Sequence, residues 1–189
     1  MPINNTDRLH GAAVFKLFEA LGKKLPSCYF SIDTGESSSA YLLTGIDPAR
    51  DLKVQVGLFI KLSNKRLSPW GYSFHQSHQD ELLFFKEKCG EAFSIFVNSD
   101  DGFACLNFTS MKEVLDDHHE EQEWVSVSRK PKQAYRISGN DGKLERPVPV
   151  NAFPEIIVGH FENEFKSIPS DSKRELFSLK GLANLFSRK

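Results

Sequence analysis

Cysteine is scarce in this chain of 189 residues: three in all, Cys28, Cys89 and Cys105, widely spaced and with no CxxC pair. An odd, scattered set predicts neither a disulfide framework nor a zinc site. Net charge is almost absent, 24 basic residues standing against 25 acidic for a formal charge of −1. That excludes coating of nucleic acid by bulk charge and leaves local patches as the electrostatic footprint. No apolar run approaches the roughly 18 residues of a membrane span. The polar start, 1–10, predicts no signal peptide, and a reducing cytosol is the expected compartment. There is no GxxxxGK[ST] or GxGxxG run, so a nucleotide phosphate loop is not predicted. Ser37-Ser38-Ser39 lacks the glycine spacing of a nucleophile elbow. Trp (2) and Tyr (4) are few, but Phe is abundant at 16. Phe is core material, and its abundance predicts a well-packed α/β body.

The apolar spacing predicts a helix over 6–21, capped by Asn5 or Thr6 and stopped at Gly22. Strands are expected over 28–32 and 40–44 around the turn Asp33-Thr34-Gly35-Glu36. Residues 54–62 are dense in apolar side chains and predict a central strand. A helix over 78–88 ends at Gly90. Strands over 93–98 and 103–108 flank Asp100-Asp101-Gly102, a good hairpin turn. Ser110 and Glu113 form a capping box for a short helix. A strand is expected over 124–128, and a hairpin pairs 135–138 with 143–146. Residues 147–154 predict an irregular edge segment. A helix follows over 155–168, and a last amphipathic helix over 171–189 carries Leu176, Leu179, Leu182, Ala183 and Phe186 as its apolar stripe.

Two stretches concentrate positive charge. Residues 52–74 hold Lys53, Lys61, Lys65 and Arg66 with no acid, a local charge of +4. Trp70, Tyr72 and Phe74 follow at alternate positions. Residues 129–146 hold Arg129, Lys130, Lys132, Arg136, Lys143 and Arg146 against Asp141 and Glu145, again +4. Cations pair with phosphates and aromatic faces stack on unpaired bases, so both stretches are nucleic-acid-binding candidates. The competing reading of Trp70 and Phe74 is core packing. Between the two stretches, 113–123 carries Glu113, Asp116, Asp117, Glu120, Glu121 and Glu123 around His118-His119. Adjacent histidines do not share a helical face, so this reads as a solvated loop and not a metal site. Its acids repel phosphates and are expected to face away from a nucleic acid.

The order over 6–108 is helix, three strands, helix, strand. With Lys61 in Leu58-Phe59-Ile60-Lys61 at the motif lysine and Glu19 on the first helix, this resembles the PD-(D/E)XK nuclease superfamily over about half the chain. The run over 61–74 is also similar to one in small bacterial proteins of unassigned activity. The superfamily resemblance implies an α+β fold, a mixed central sheet flanked by helices, with a restriction-endonuclease-like αβββαβ core. It divides the chain into a core with added hairpins over 1–150 and a C-terminal helical extension over 151–189. The family holds Mg²⁺ with an acid on the second strand and another two residues before the lysine. Here neither place holds an acid: the second strand reads Ser39-Ala40-Tyr41-Leu42-Leu43, and the pre-lysine position is Phe59.

The leading expectation is therefore a non-catalytic, nuclease-like module that binds DNA or RNA. Lys61, Lys65, Arg66, Arg129, Lys130 and Lys132 would meet phosphates and Trp70 would stack. Catalytic residues, metal and cofactors are not assigned. A second expectation, of another class, is a protein-interaction or regulatory module that takes a partner or a second copy through 171–189. A third is a divergent Mg²⁺ nuclease using Asp33, Asp47 or Asp51 with Lys61, and only this reading calls for a metal.

Overall fold

The computed structural model describes residues 2–35, 37–118 and 122–167. The helix expected over 171–189, and the contacts it was expected to make, lie outside the described residues.

The chain opens with α1 (Asn5–Lys24). Asn4 is the N-cap: its side chain accepts the Asp7 N–H, and the Asp7 carboxylate accepts the Asn4 N–H in return, a capping box one or two residues earlier than the Asn5 or Thr6 expected. The helix runs past Gly22, because Leu21 is fully buried and holds the last turn on the core. Pro26 then prevents continuation. Three antiparallel strands follow: β1 (Tyr29–Thr34), β2 (Ala40–Asp47) and β3 (Leu52–Leu62).

After β3 the chain departs from the expected order. β4 (Trp70–His75) is a strand, and it leaves the first sheet to start a second. Its residues alternate buried and exposed along its length, the two-residue period of a half-covered strand. α2 (Gln76–Cys89) ends at Gly90, whose φ of 81° is the left-handed conformation that a glycine stop supplies. β5 (Ala92–Val97) and β6 (Phe103–Asn107) flank a short turn. α3 (Phe108–Lys112) starts from Asn107, whose side chain accepts the Ser110 N–H, so the cap is not Ser110 with Glu113. β7 (Gln122–Ser128) and β8 (Arg136–Gly139) complete the second sheet. β8 pairs with β7, and the expected hairpin is present as two isolated bridges, Ser138–Lys143 and Tyr135–Val148, with the Leu144 N–H donating to the Ile137 carbonyl between them, and not as a further strand. α4 (Ala152–Ser167) closes the described chain.

The fold is α+β. A mixed five-stranded sheet runs in the order β1-β2-β3-β5-β6, with β3 and β5 parallel, and a three-stranded antiparallel sheet in the order β4-β7-β8. β3 is central and buried on both faces, as its continuous apolar run requires. One face carries α1 and α4, where Leu17, Leu21, Leu43, Leu58, Phe161 and Phe165 form a core. Residues 152–167 are thus a layer of the main body. The other face carries α2 and the second sheet over Phe59, Phe74, Phe85 and Phe96. Among the described residues no helix is long and apolar enough to cross a membrane.

Candidate nucleic-acid interface

The register of the second sheet decides where the basic residues go. Trp70 at the start of β4 lies opposite Val127 near the end of β7. The segment entering β4 and the segment leaving β7 therefore project from the same end of that sheet. They touch there: the Arg129 N–H donates to Ser68 Oγ at 3.0 Å. The two basic stretches, far apart in the chain, meet at one tip.

The second stretch is shaped by a tight turn in which the Gln133 N–H donates to the Lys130 carbonyl at 3.0 Å. Pro131 takes the second position and Lys132 the third, with φ 63°. That left-handed backbone is what a type II turn needs at its third position and what glycine ordinarily supplies. Here a lysine occupies it and stands exposed. Lys65, Arg66, Lys130 and Arg136 are exposed as well. None of these five forms an ion pair among the described residues. A cleft of about 450 Å³ lies at the tip, lined by Ser68, Ser128, Arg129, Lys130, Gln133 and Arg136.

Arg129 has a different task from its neighbours. Its Nε and Nη2 donate to the two carboxylate oxygens of Asp101 at 2.8 and 2.6 Å. The guanidinium carbon stands 5.2 Å from the Tyr135 ring centroid, and the Tyr135 hydroxyl donates to the same carboxylate at 3.0 Å. A bidentate pair of this kind fixes geometry as well as adding energy. It holds the Asp101 carboxyl below its ordinary value, through the Arg129 hydrogen bonds first. Burial, chiefly, pushes the Tyr135 hydroxyl up to about 12. Arg129 ties the basic turn to the β5–β6 turn and is not free to meet a phosphate.

Trp70 is 2% exposed and packs at an angle on Tyr135. It belongs to the core and offers no face for stacking. Tyr72 and Tyr135 are equally buried.

Lys61 also stands apart from the tip. It points to the same face of β3 as Phe59, toward β4 and α2. Its Nζ lies 5.3 Å from the Phe59 centroid, 5.0 Å from that of Phe74 and 3.1 Å from His78 Nδ1. No carboxylate pairs with it among the described residues. Two phenyl faces return only part of what the ammonium loses with its water. Burial therefore brings Lys61 down from the ordinary lysine value to about 8. The His78 Nδ1 also accepts the His75 N–H at 3.0 Å. With two donors aimed at it, Nδ1 has no room for a proton, and burial and Lys61 together lower His78 to about 4.

That depression has a stability consequence. In the unfolded chain His78 takes a proton near its ordinary value of 6.5, while in the fold it resists until about 4. Its contribution is present above pH 6.5 and is lost as pH falls toward 4. The melting-temperature advantage of the wild type over His78→Gln is expected to narrow across that window. An advantage that stays constant from pH 7 to 4 would contradict the assignment.

The acids invoked for a divergent metal site do not converge on Lys61. Asp47 and Asp51 sit at the β2–β3 turn, Asp47 opposite Leu52, at the other end of β3. At about 3.3 Å per residue the separation along the strand is roughly 30 Å. Asp47 is already occupied, accepting the Ala49 and Arg50 N–H groups and the Arg50 guanidinium. Asp33 pairs with Leu42, two strands away from Lys61. Lys53 begins β3, far from the tip, and Lys143 and Arg146 lie along the return past β8.

The acidic stretch goes to the opposite end. His75 faces Gln122 where β4 ends, so residues 113–118 and 123 lie a strand's length from the basic turn. Asp116, Glu123 and Asp141 bring carboxylate oxygens within 4.8 Å of one another there. The buried Glu123 accepts a hydrogen bond from Gln79. The second sheet is thus basic at one end and acidic at the other.

The Arg129–Asp101 and Lys61–His78 contacts leave no trace in local spacing, because the partners stand 28 and 17 residues apart. The one available signal was Lys130-Pro131-Lys132-Gln133, a proline-led turn with a cation on either side. No protein-family model, curated protein or solved structure matches the chain.

Proposed function

We propose that the protein binds DNA or RNA through the sugar-phosphate backbone, at the basic tip of the second sheet, and holds it without cutting it. The observation that carries this reading is the Arg129–Ser68 contact, which merges two separate basic stretches into one surface. Lys65, Arg66, Lys130, Lys132 and Arg136 supply the cations, and Arg129 with Asp101 braces them. Trp70, Tyr72 and Tyr135 are buried, so they give unpaired bases no stacking platform at the tip, and phosphates are what its cations can recognise. The acidic far end repels the same ligand and orients it. Lys61 is far from Asp47 and Asp51, which supports binding without hydrolysis. Three free cysteines fit a reducing cytoplasm.

Lys132 separates this reading from a structural one. A lysine at φ 63° costs the fold about 1 kcal/mol relative to glycine. Lys132→Gly should leave stability unchanged or raise it by about that amount. The same change should weaken binding to a 20-base-pair duplex and lower the slope of log K against log salt by about one. Thermal unfolding and anisotropy titration read the two effects. Full affinity in the variant would remove Lys132 from the interface.

A further inference from the structure

We propose that Lys61 is a nucleophilic amine that condenses with a small aldehyde or ketone to form an imine. The site is distinct from the basic tip and independent of it.

The geometry prepares the amine in three ways. The Phe59 and Phe74 rings flank Nζ and displace water from it. His78 Nδ1, which carries no proton of its own, accepts one N–H of the amine. A neutral amine donating to that ring nitrogen keeps its lone pair free. Ion pairing, the usual way a protein holds an ammonium charged, is missing here among the described residues. The groups facing the amine are Phe59 from β3, Phe74 and His75 from the end of β4, His78 from α2, and Phe96 opposite it on β5. Glu81 acts on His78 and not on the amine. Desolvated lysines of this kind are the ones proteins use for imine chemistry.

A groove meets the amine cluster at His78, with Lys61 itself outside its lining. The groove, of about 860 Å³, runs between α2 and the β1–β2 connection, and His78, the partner of the amine, forms part of its wall. Leu42 and Phe85 make an apolar floor, and Asp33 and Lys88 lie at the rim. The Ser37 hydroxyl also lines the groove and is buried without a hydrogen-bond partner. It is free to meet the carbonyl oxygen of a ligand. The chemistry balances without an oxidant or reductant. The nitrogen lone pair attacks the carbonyl carbon, the C–N bond forms and the π pair moves to oxygen. Proton transfer from nitrogen to that oxygen gives a carbinolamine. The hydroxyl leaves with a second proton as water, and the C=N bond remains.

The test uses the wild-type chain, with acetone as the carbonyl probe and cyanoborohydride to trap the imine, read by peptide mass spectrometry. Lys61 should be alkylated about tenfold faster than the exposed Lys65 and Lys130 at pH 7.5, because its larger neutral fraction outweighs its lower basicity. Its rate should level off just above pH 8, while theirs still rises beyond pH 10. Alkylation of Lys61 no faster than of Lys65, or no alkylation of it at all, would overturn the proposal.

Discussion

Reversing Lys65, Arg66, Lys130 and Lys132 together to glutamate is expected to abolish nucleic-acid binding while leaving the fold intact. Each phosphate contact contributes about 0.9 to the slope of log K against log salt, so losing four should flatten that slope by about three to four. Affinity at 0.1 M salt should fall by about a hundredfold or more, since the new acids also repel the ligand. Stability should hardly move. All four side chains are exposed, and none is held in an ion pair among the described residues. Surface changes of this kind are usually worth within about 0.5 kcal/mol. The matching control reverses Lys16, Lys24 and Lys53, exposed lysines on α1 and at the start of β3. Bulk charge moves nearly as far there, but the tip is untouched. Equal loss of binding in both variants would mean that overall charge, not the tip, holds the ligand.

Gly57→Val should be strongly destabilising. Gly57 lies in the middle of β3, in register with Leu42 of β2 and Ala92 of β5, and its N–H donates to the Glu91 carbonyl at 3.1 Å. A Cβ added there would lie 2.3 Å from the Cβ and Cγ atoms of Phe85 on α2. The backbone conformation suits any residue, so the effect is steric alone. α2 would have to lift from the sheet and carry Leu82, Phe85 and His78 with it. Overpacking on that scale costs about 3 kcal/mol or more, read as a lower urea midpoint. Combining it with Phe85→Ala should cost less than the two single changes summed, because the removed ring makes room. Strict additivity would contradict the close approach of α2 to β3.

Much of this arrangement is legible in the sequence, and the exceptions have physical reasons. Val54 to Ile60 is nearly unbroken in apolar residues, and only a strand covered on both faces needs that. Gly90 and Gly102 mark a helix stop and a turn where positive φ is required, and both are found there. β4 is the instructive failure. Trp70, Tyr72 and Phe74 alternate with Gly71, Ser73 and His75, a plain two-residue period, yet aromatics beside lysines also suggest stacking on bases. Burial distinguishes the two readings, and burial depends on β7, some fifty residues later in the chain. Gly22 misleads for a related reason: Leu21 docks in the core and carries the helix through a residue that would otherwise end it.

The candidate site divides in the same way. Lys65, Arg66, Lys130 and Lys132 are visible as charge in two turns, because a turn must be solvated and cations there remain free. That the turns touch is a property of the β4–β7 register. Arg129 shows the limit of counting charge, since Asp101 neutralises it from a turn between two other strands. Lys61 shows the same limit through burial, being enclosed by Phe59, Phe74 and His78.

The most direct test is fluorescence anisotropy of the wild-type chain with a labelled 20-base-pair duplex between 50 and 300 mM salt. The account predicts submicromolar binding at the lowest salt and a log–log slope of about −3 to −5, the value for four or five phosphate contacts. Absence of binding at 50 mM salt, or binding that is indifferent to salt, would contradict it.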